Sequence, residues 1–339
     1  MGSDNGIHCQ YDESNIILRK RSDFNKGDIM ERNILIGNGI NIEFGGKDKY
    51  SNHAILQRMF ANMRAGRYTA ILPDSSIDQQ LGLFQDFRDI LVNINHYKSP
   101  EEYFFLDVEK TRIKKQYKTD SDLEDIGMED YFLALEYGIR EDDKEDFVHQ
   151  AHRELQMPIL DAIYNDGKIN QIDYGARFGD YLSSFINVFT INYDGNLDKY
   201  RDDVNHLHGE FSKLAAEYDE TSDYSITNPE KCKASAVVPG FEHVYSNTIM
   251  SWYWLEKYGE WLGNESVFGV DKFKAMQGKL EIIGMSPCND EHLFLMINNS
   301  KITSVDYYYH SEDDRLRMQQ KIQKKMTFKK VDKLWARLK

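Results

Sequence analysis

Four short clusters in this 339-residue chain carry Asn, Asp, Ser or His, three of them with glycine, each just after an apolar stretch. They are Gly37-Asn38-Gly39, Thr190-Ile191-Asn192-Tyr193-Asp194, His206-Leu207-His208-Gly209 and Gly284-Met285-Ser286. Glycines between a strand and a helix let the backbone approach a pyrophosphate, and the helix start can aim N–H groups at it. Anion binding of that kind needs few cations. Other chemistries fit less well. Gly37-Asn38-Gly39 falls short of the GxGxxG dinucleotide fingerprint, so hydride transfer is not the natural inference. No GxSxG nucleophile elbow is present. The pairs His206/His208 and His149/His152 offer two nitrogens each, but no HExxH or Cys/His cluster completes a site, and no metal is expected.

Taken singly, each cluster also has a plain structural reading. Glycine supplies tight turns, Asn192 and Asp194 can cap a helix or brace a turn, and a lone His is often a hydrogen-bonded structural residue. What gives them weight together is their place at strand ends. Ile34, Leu35 and Ile36 form a short apolar run before the first cluster. FINVFTINYD (185–194), KLEIIGMS (279–286) and KITSVDYYYH (301–310) are short and rich in β-branched residues, as strands buried in a parallel sheet should be. Helical patterns separate them. Ser51 caps a predicted helix with Ile55, Leu56, Met59, Phe60 and Met63 on one face, ended near Gly66. A second groups Leu83, Phe84, Phe87, Ile90, Leu91 and Ile94, and further helical patterns lie at 128–137 and 147–160. Ser311 and the acidic residues 312–314 begin a C-terminal helix.

The fold class expected is therefore α/β: a Rossmann-like parallel sheet with a large helical insertion at about 51–180. Residues 1–30 form an N-terminal arm, 31–310 the main domain, and 311–339 a basic helical tail. In such sheets ligands bind beyond the carboxyl ends of the strands, where the four clusters stand.

Composition narrows the class. With 41% hydrophobic residues, six prolines and no linker-like segment, one elaborated domain is expected rather than several small ones. No apolar run reaches the roughly 20 residues of a membrane span, and the polar start MGSDNGIHCQ lacks a signal peptide's apolar core. Cys9, Cys232 and Cys288 are scattered and odd in number, which fits a reducing cytoplasm. A net charge of −14 argues against direct nucleic-acid binding by the whole surface. The tail from Arg315 onward is basic and reads either as a solvated face or as a docking element.

The order GxG, TxNYD, HG and GxS resembles the sirtuin-like NAD-binding fold. ILIGNGINIEFGG (34–46) and FTINYD (189–194) are similar to the AbiH-type and related sirtuin-like proteins of bacterial antiphage defence. The resemblance spans about residues 33–310. It implies a sirtuin-like type of sheet with NAD as substrate. Asn192 would hold the water or the nicotinamide ribose, His208 would contact ribose hydroxyls and act as general base, and Asp194 would orient the site or stabilise charge. Gly37, Asn38, Gly39, Asn41 and Thr190 would line the phosphate and nicotinamide side. Gly284 and Ser286 would meet the adenosine ribose. The implied activity is an NAD glycohydrolase that releases nicotinamide and depletes NAD during infection.

Two rival readings stay open. One is a noncatalytic sensor of NAD or ADP-ribose. The other is a protein deacylase, although three distant cysteines cannot build the four-cysteine zinc module of sirtuin deacetylases. An unrestrained NAD hydrolase would consume a cofactor its own cell needs, so an assembly is implied. That means a homo-oligomer, a separately encoded partner, or both. A HerA-like ATPase is favoured over a short Argonaute as partner, and the aromatic stretch 244–262 and the basic tail are the contact surfaces considered.

Overall fold

The structure is a computed structural model that describes residues 31–70, 75–96, 104–128, 130–131, 134–135, 155, 158–208, 269–288 and 290–339. The arm at 1–30, the glycine of His208-Gly209, the pair His149/His152 and the stretch 244–262 lie outside the described residues.

Apolar runs with no polar side are the signature of strands covered on both faces. Strand β1 (Arg32–Ile36) shows it directly, with Ile34, Leu35 and Ile36 all fully buried. Side chains alternate between faces along a strand. Ile34 and Ile36 thus join one core, and Leu35 joins another on the opposite face. The remaining strands are β2 (Asn187–Thr190), β3 (Val204–His206), β4 (Gln277–Ile283), β5 (Lys301–Tyr309) and β6 (Lys325–Lys330). All pairings are parallel, and the order is β3-β2-β1-β4-β5-β6. This is the doubly wound order of a Rossmann-like sheet. The chain moves outward from β1 through β2 to β3, then returns to the other side of β1 with β4. The switch point, where a crevice opens beyond the strand ends, lies between β1 and β4.

The first core is covered by helices between β1 and β2. Helix α1 (Gly39–Gly45) follows β1 at once. Helix α2 (Asn52–Arg64) is started by the Ser51 hydroxyl, which accepts the Ala54 N–H, and it buries Ile55, Leu56, Met59, Phe60 and Met63. Helix α3 (Ile77–Val92) begins with a reciprocal Ser76–Gln79 capping box and buries Phe84, Phe87, Ile90 and Leu91. Helices α4 (Phe104–Gln116) and α5 (Ala176–Leu182) belong to the same layer. The second core is covered by α6 (Val270–Ala275), α7 (Glu291–Asn299) and α8 (Glu312–Lys321). No helix among the described residues is long and apolar enough to cross a membrane.

The C-terminal segment differs from the basic helical tail expected over 311–339. Ser311 and Asp314 do form the capping box that starts α8. The chain then enters the sheet as β6 and ends in α9 (Val331–Leu338), whose Val331, Leu334, Trp335 and Leu338 are buried in the first core. The sheet therefore does not end near residue 310. The reason is positional: β6 is an edge strand, where lysines are usual, and they obscured its short alternation. Met326 and Phe328 pack on the second core, while Lys329 pairs with the buried Asp306 on β5.

Candidate functional site

The loops after β1 and β4 meet backbone to backbone. The Gly37 N–H donates to the Ile283 carbonyl at 2.9 Å, and the Gly39 N–H donates to the Gly284 carbonyl at 2.7 Å. A Cβ on Gly37 would stand 2.6 Å from the Gly284 oxygen, and one on Gly39 would stand 2.6 Å from the Gly284 Cα. Gly284 itself has φ +64. These three glycines are required by this close approach. The first N–H groups of α1 are also engaged, Gly39 with Gly284 and Ile40 with Gly37.

That packing makes a stability prediction. Gly37→Ala forces a methyl against fixed backbone atoms and should cost about 2–3 kcal/mol. Gly82→Ala, inside α3 with nothing within 4 Å of the new Cβ, should instead stabilise by about 0.5–1 kcal/mol. Urea denaturation of the two variants should shift the midpoint in opposite directions.

Several of the expected ligand-binding residues belong to a buried support. Thr190 is fully buried; its hydroxyl donates to the Ile36 carbonyl at 2.9 Å and accepts the Asn192 N–H at 3.0 Å. It joins β2 to β1 and shapes the turn that carries Asn192. Asn41 donates to Asp194 at 2.7 Å and to Asn38 at 3.1 Å, and it accepts the Tyr174 hydroxyl at 2.6 Å. Asp194 also accepts the Asn196 backbone and side-chain N–H groups. Burial raises the Asp194 pKa, with the hydrogen bonds from Asn41 and Asn196 opposing that shift. Asn38 donates to the Tyr50 carbonyl at 2.8 Å. Thr190, Asn41 and Asp194 thus form a hydrogen-bonded scaffold beneath the strand ends. Ser286 is exposed, and its hydroxyl accepts the Cys288 N–H at 3.2 Å.

Asn192 is different. It is 5% exposed, yet neither its Oδ1 nor its Nδ2 has a hydrogen-bond partner among the described residues. Leaving a buried polar group unpaired costs about 1–3 kcal/mol, and here both ends of one amide are in that state. Its backbone, by contrast, is held firmly. The His206 Nδ1 lies 3.0 Å from the Asn192 carbonyl, and Nε2 lies 3.0 Å from Asp198 Oδ2. Both partners are acceptors, so both contacts are hydrogen bonds when each ring nitrogen carries a proton.

His208 follows two residues later and is also buried. Its ring lies beside that of Tyr193, the neighbour of Asn192, with centroids 6.4 Å apart. Its Nε2 lies 3.6 Å from Asp290 Oδ1, in the segment after β4. Burial pushes the imidazole pKa down to about 3, so the ring is the uncharged base at neutral pH. The structure thus joins the clusters after β2 and β3, with Asn192 and His208 on adjoining loops, and sets His208 beside the segment after β4.

Residues not singled out in the sequence complete the arrangement: Asp198 behind His206, Asn196 behind Asp194, and Asp290 beside His208. Only Asp290 had a local signal, as an Asp heading an apolar helical run. Among the described residues no three His, Cys, Asp or Glu side chains are grouped as metal ligands. A surface cleft of about 530 Å³ lined by Glu43, Phe44, Asp173, Tyr174 and Arg177 contains none of the candidate residues. Fold and site together define a Rossmann-like α/β protein with a buried Asn and a buried His on adjoining loops at the strand ends. No protein-family model, curated protein or solved structure matches the chain.

Proposed function

We propose that the chain is a sirtuin-like NAD glycohydrolase, cleaving NAD to nicotinamide and ADP-ribose. The observation that carries this reading is the Asn192 amide, held by its backbone and unpaired at both polar atoms of its side chain. An amide placed so has one acceptor and two donors ready for a polar ligand. A ribose hydroxyl and an attacking water are partners of the right kind.

In the reaction, the bond from ribose C1′ to the nicotinamide nitrogen breaks with its electron pair going to the nitrogen. The ring's positive charge is neutralised, and an oxocarbenium-like ribose remains. Water bonds to C1′ and gives its proton to the uncharged His208 imidazole, which releases it to solvent. Asn192 fixes the ribose and the water, and holding both in register is the larger part of the catalytic effect. The resemblance of GNGIN and TINYD to antiphage proteins gives the reading its biological setting, an NAD-depleting effector in the cytoplasm. Such an enzyme acts in an assembly, as a homo-oligomer or with a separately encoded HerA-like ATPase or short Argonaute.

The test is chromatography of NAD incubated with the full chain, alone and with its neighbouring gene product. Nicotinamide and ADP-ribose in equal amounts support the hydrolase. Tight binding with NAD intact in both arms replaces it with the sensor reading. O-acyl-ADP-ribose formed only with an acylated peptide replaces it with the deacylase.

A further inference from the structure

Three observations converge on Asp290, a residue outside the clusters above. Its carboxylate lies 3.6 Å from His208 Nε2, and both side chains are largely buried, 13% and 11% exposed. It stands at the N-cap of α7, where an Asp side chain ordinarily accepts an N–H of the first turn. Here it makes no such bond. Its backbone is left-handed, φ 64 and ψ 38, a region uncommon for residues other than glycine. The turn that orients Asp290 thus forgoes the cap and sets the carboxylate beside the imidazole. The contact also has reach: β3 and β4 are separated in the sheet by β2 and β1. Loops from β3 and β4 that touch must pass over the ends of β2 and β1, where Asn192 and Gly37 stand.

We propose that Asp290 is the positioning residue for His208, its carboxylate fixing the Nε2 edge of the ring that receives the water's proton. The chemical role rests on the NAD-hydrolase reading; the Asp290–His208 pairing does not. An anion on the Nε2 edge favours the tautomer that points its N–H toward it, and it stabilises the imidazolium formed as the proton arrives. Asp290 touches no reacting atom in this scheme and acts through the ring.

The substitution that isolates this role is Asp290→Asn. Asparagine keeps the shape and accepts the left-handed backbone, so the change removes the charge and little else. Two readouts are taken on the full chain: NAD turnover with ADP-ribose affinity, and the ¹⁵N shifts of the His208 ring, assigned by the signal lost in His208→Gln. We expect turnover to fall about 100-fold while ADP-ribose affinity stays within about threefold. The His208 ring should leave the Nε2–H tautomer, and Asp290→Glu should recover part of the rate. An Asp290→Asn enzyme with wild-type turnover overturns the proposal even if NAD hydrolysis stands. If the wild-type chain releases no nicotinamide, the hydrolase reading fails by itself. The ring shifts then decide the pairing: a tautomer unchanged by Asp290→Asn overturns it, and a changed one upholds it as part of a binding site.

Discussion

Replacing Asn192 with leucine is expected to stop nicotinamide release while making the free protein more stable. These effects are seldom paired, and the pairing follows from the state of the amide. Both polar atoms are buried without partners, so the free protein carries their desolvation cost. A leucine of similar size removes that cost and should add about 1–2 kcal/mol of stability. For a chain of this size each kcal/mol raises Tm by about 1–2 °C. The same change deletes the groups assigned to the ribose and the water. Losing such a preorganised contact costs about 3–4 kcal/mol in the transition state, a fall of roughly two to three orders of magnitude in rate. Thermal unfolding and single-turnover hydrolysis check the two halves separately. A destabilised Asn192→Leu variant with wild-type turnover would remove the basis for the site.

His208→Gln should lower hydrolysis by about 10²- to 10³-fold and should also flatten the acid limb of the stability curve. Burial holds the folded imidazole near pKa 3, whereas an unfolded one titrates near 6.5. Below about pH 6.5 the unfolded chain takes up a proton that the folded chain refuses. The stability this residue contributes is therefore present above the unfolded pKa and lost as pH falls toward the folded one. Between pH 7.5 and 5.5 the loss amounts to about 1.4 kcal/mol in the wild type and is missing in His208→Gln. Asp194 works in the opposite direction, because its pKa is raised in the fold and protonation favours the folded state. It is present in both proteins, so their difference reports His208. Urea denaturation at the two pH values measures it, and equal losses in both proteins would show that His208 is not held uncharged.

How far the sequence revealed this arrangement depended on how local each signal was. Ile34–Ile36, Val188–Phe189 and Ile282–Ile283 announce themselves because strands buried on both faces favour unbroken apolar runs. Ser51 and Ser311 mark helix starts because a cap acts on the backbone only a few residues away. β6 was hidden because an edge strand rich in lysine resembles a solvated helix face. The glycines show a subtler limit. Their place at a strand end was legible, but which backbone approaches them was not, because Gly284 lies some 250 residues further along the chain. The same holds for His206 with Asp198 and for His208 with Asp290, pairs made only when the loops meet. Asn41 looked like a ligand contact, since residue type alone does not separate a binding group from a hydrogen-bonded support such as the one Asn41 gives Asp194.

The central question is whether the buried amide of Asn192 is completed by the nicotinamide ribose. A crystal structure of the full chain with carba-NAD, whose carbocyclic ribose resists hydrolysis, tests this most directly. Hydroxyls of that ring are expected within about 3 Å of Asn192 Oδ1 and Nδ2, with the His208 ring facing C1′ through one water. Asn192 paired only to ordered water, with the analogue bound away from the ends of β1, β2 and β4 or not bound at all, would contradict this.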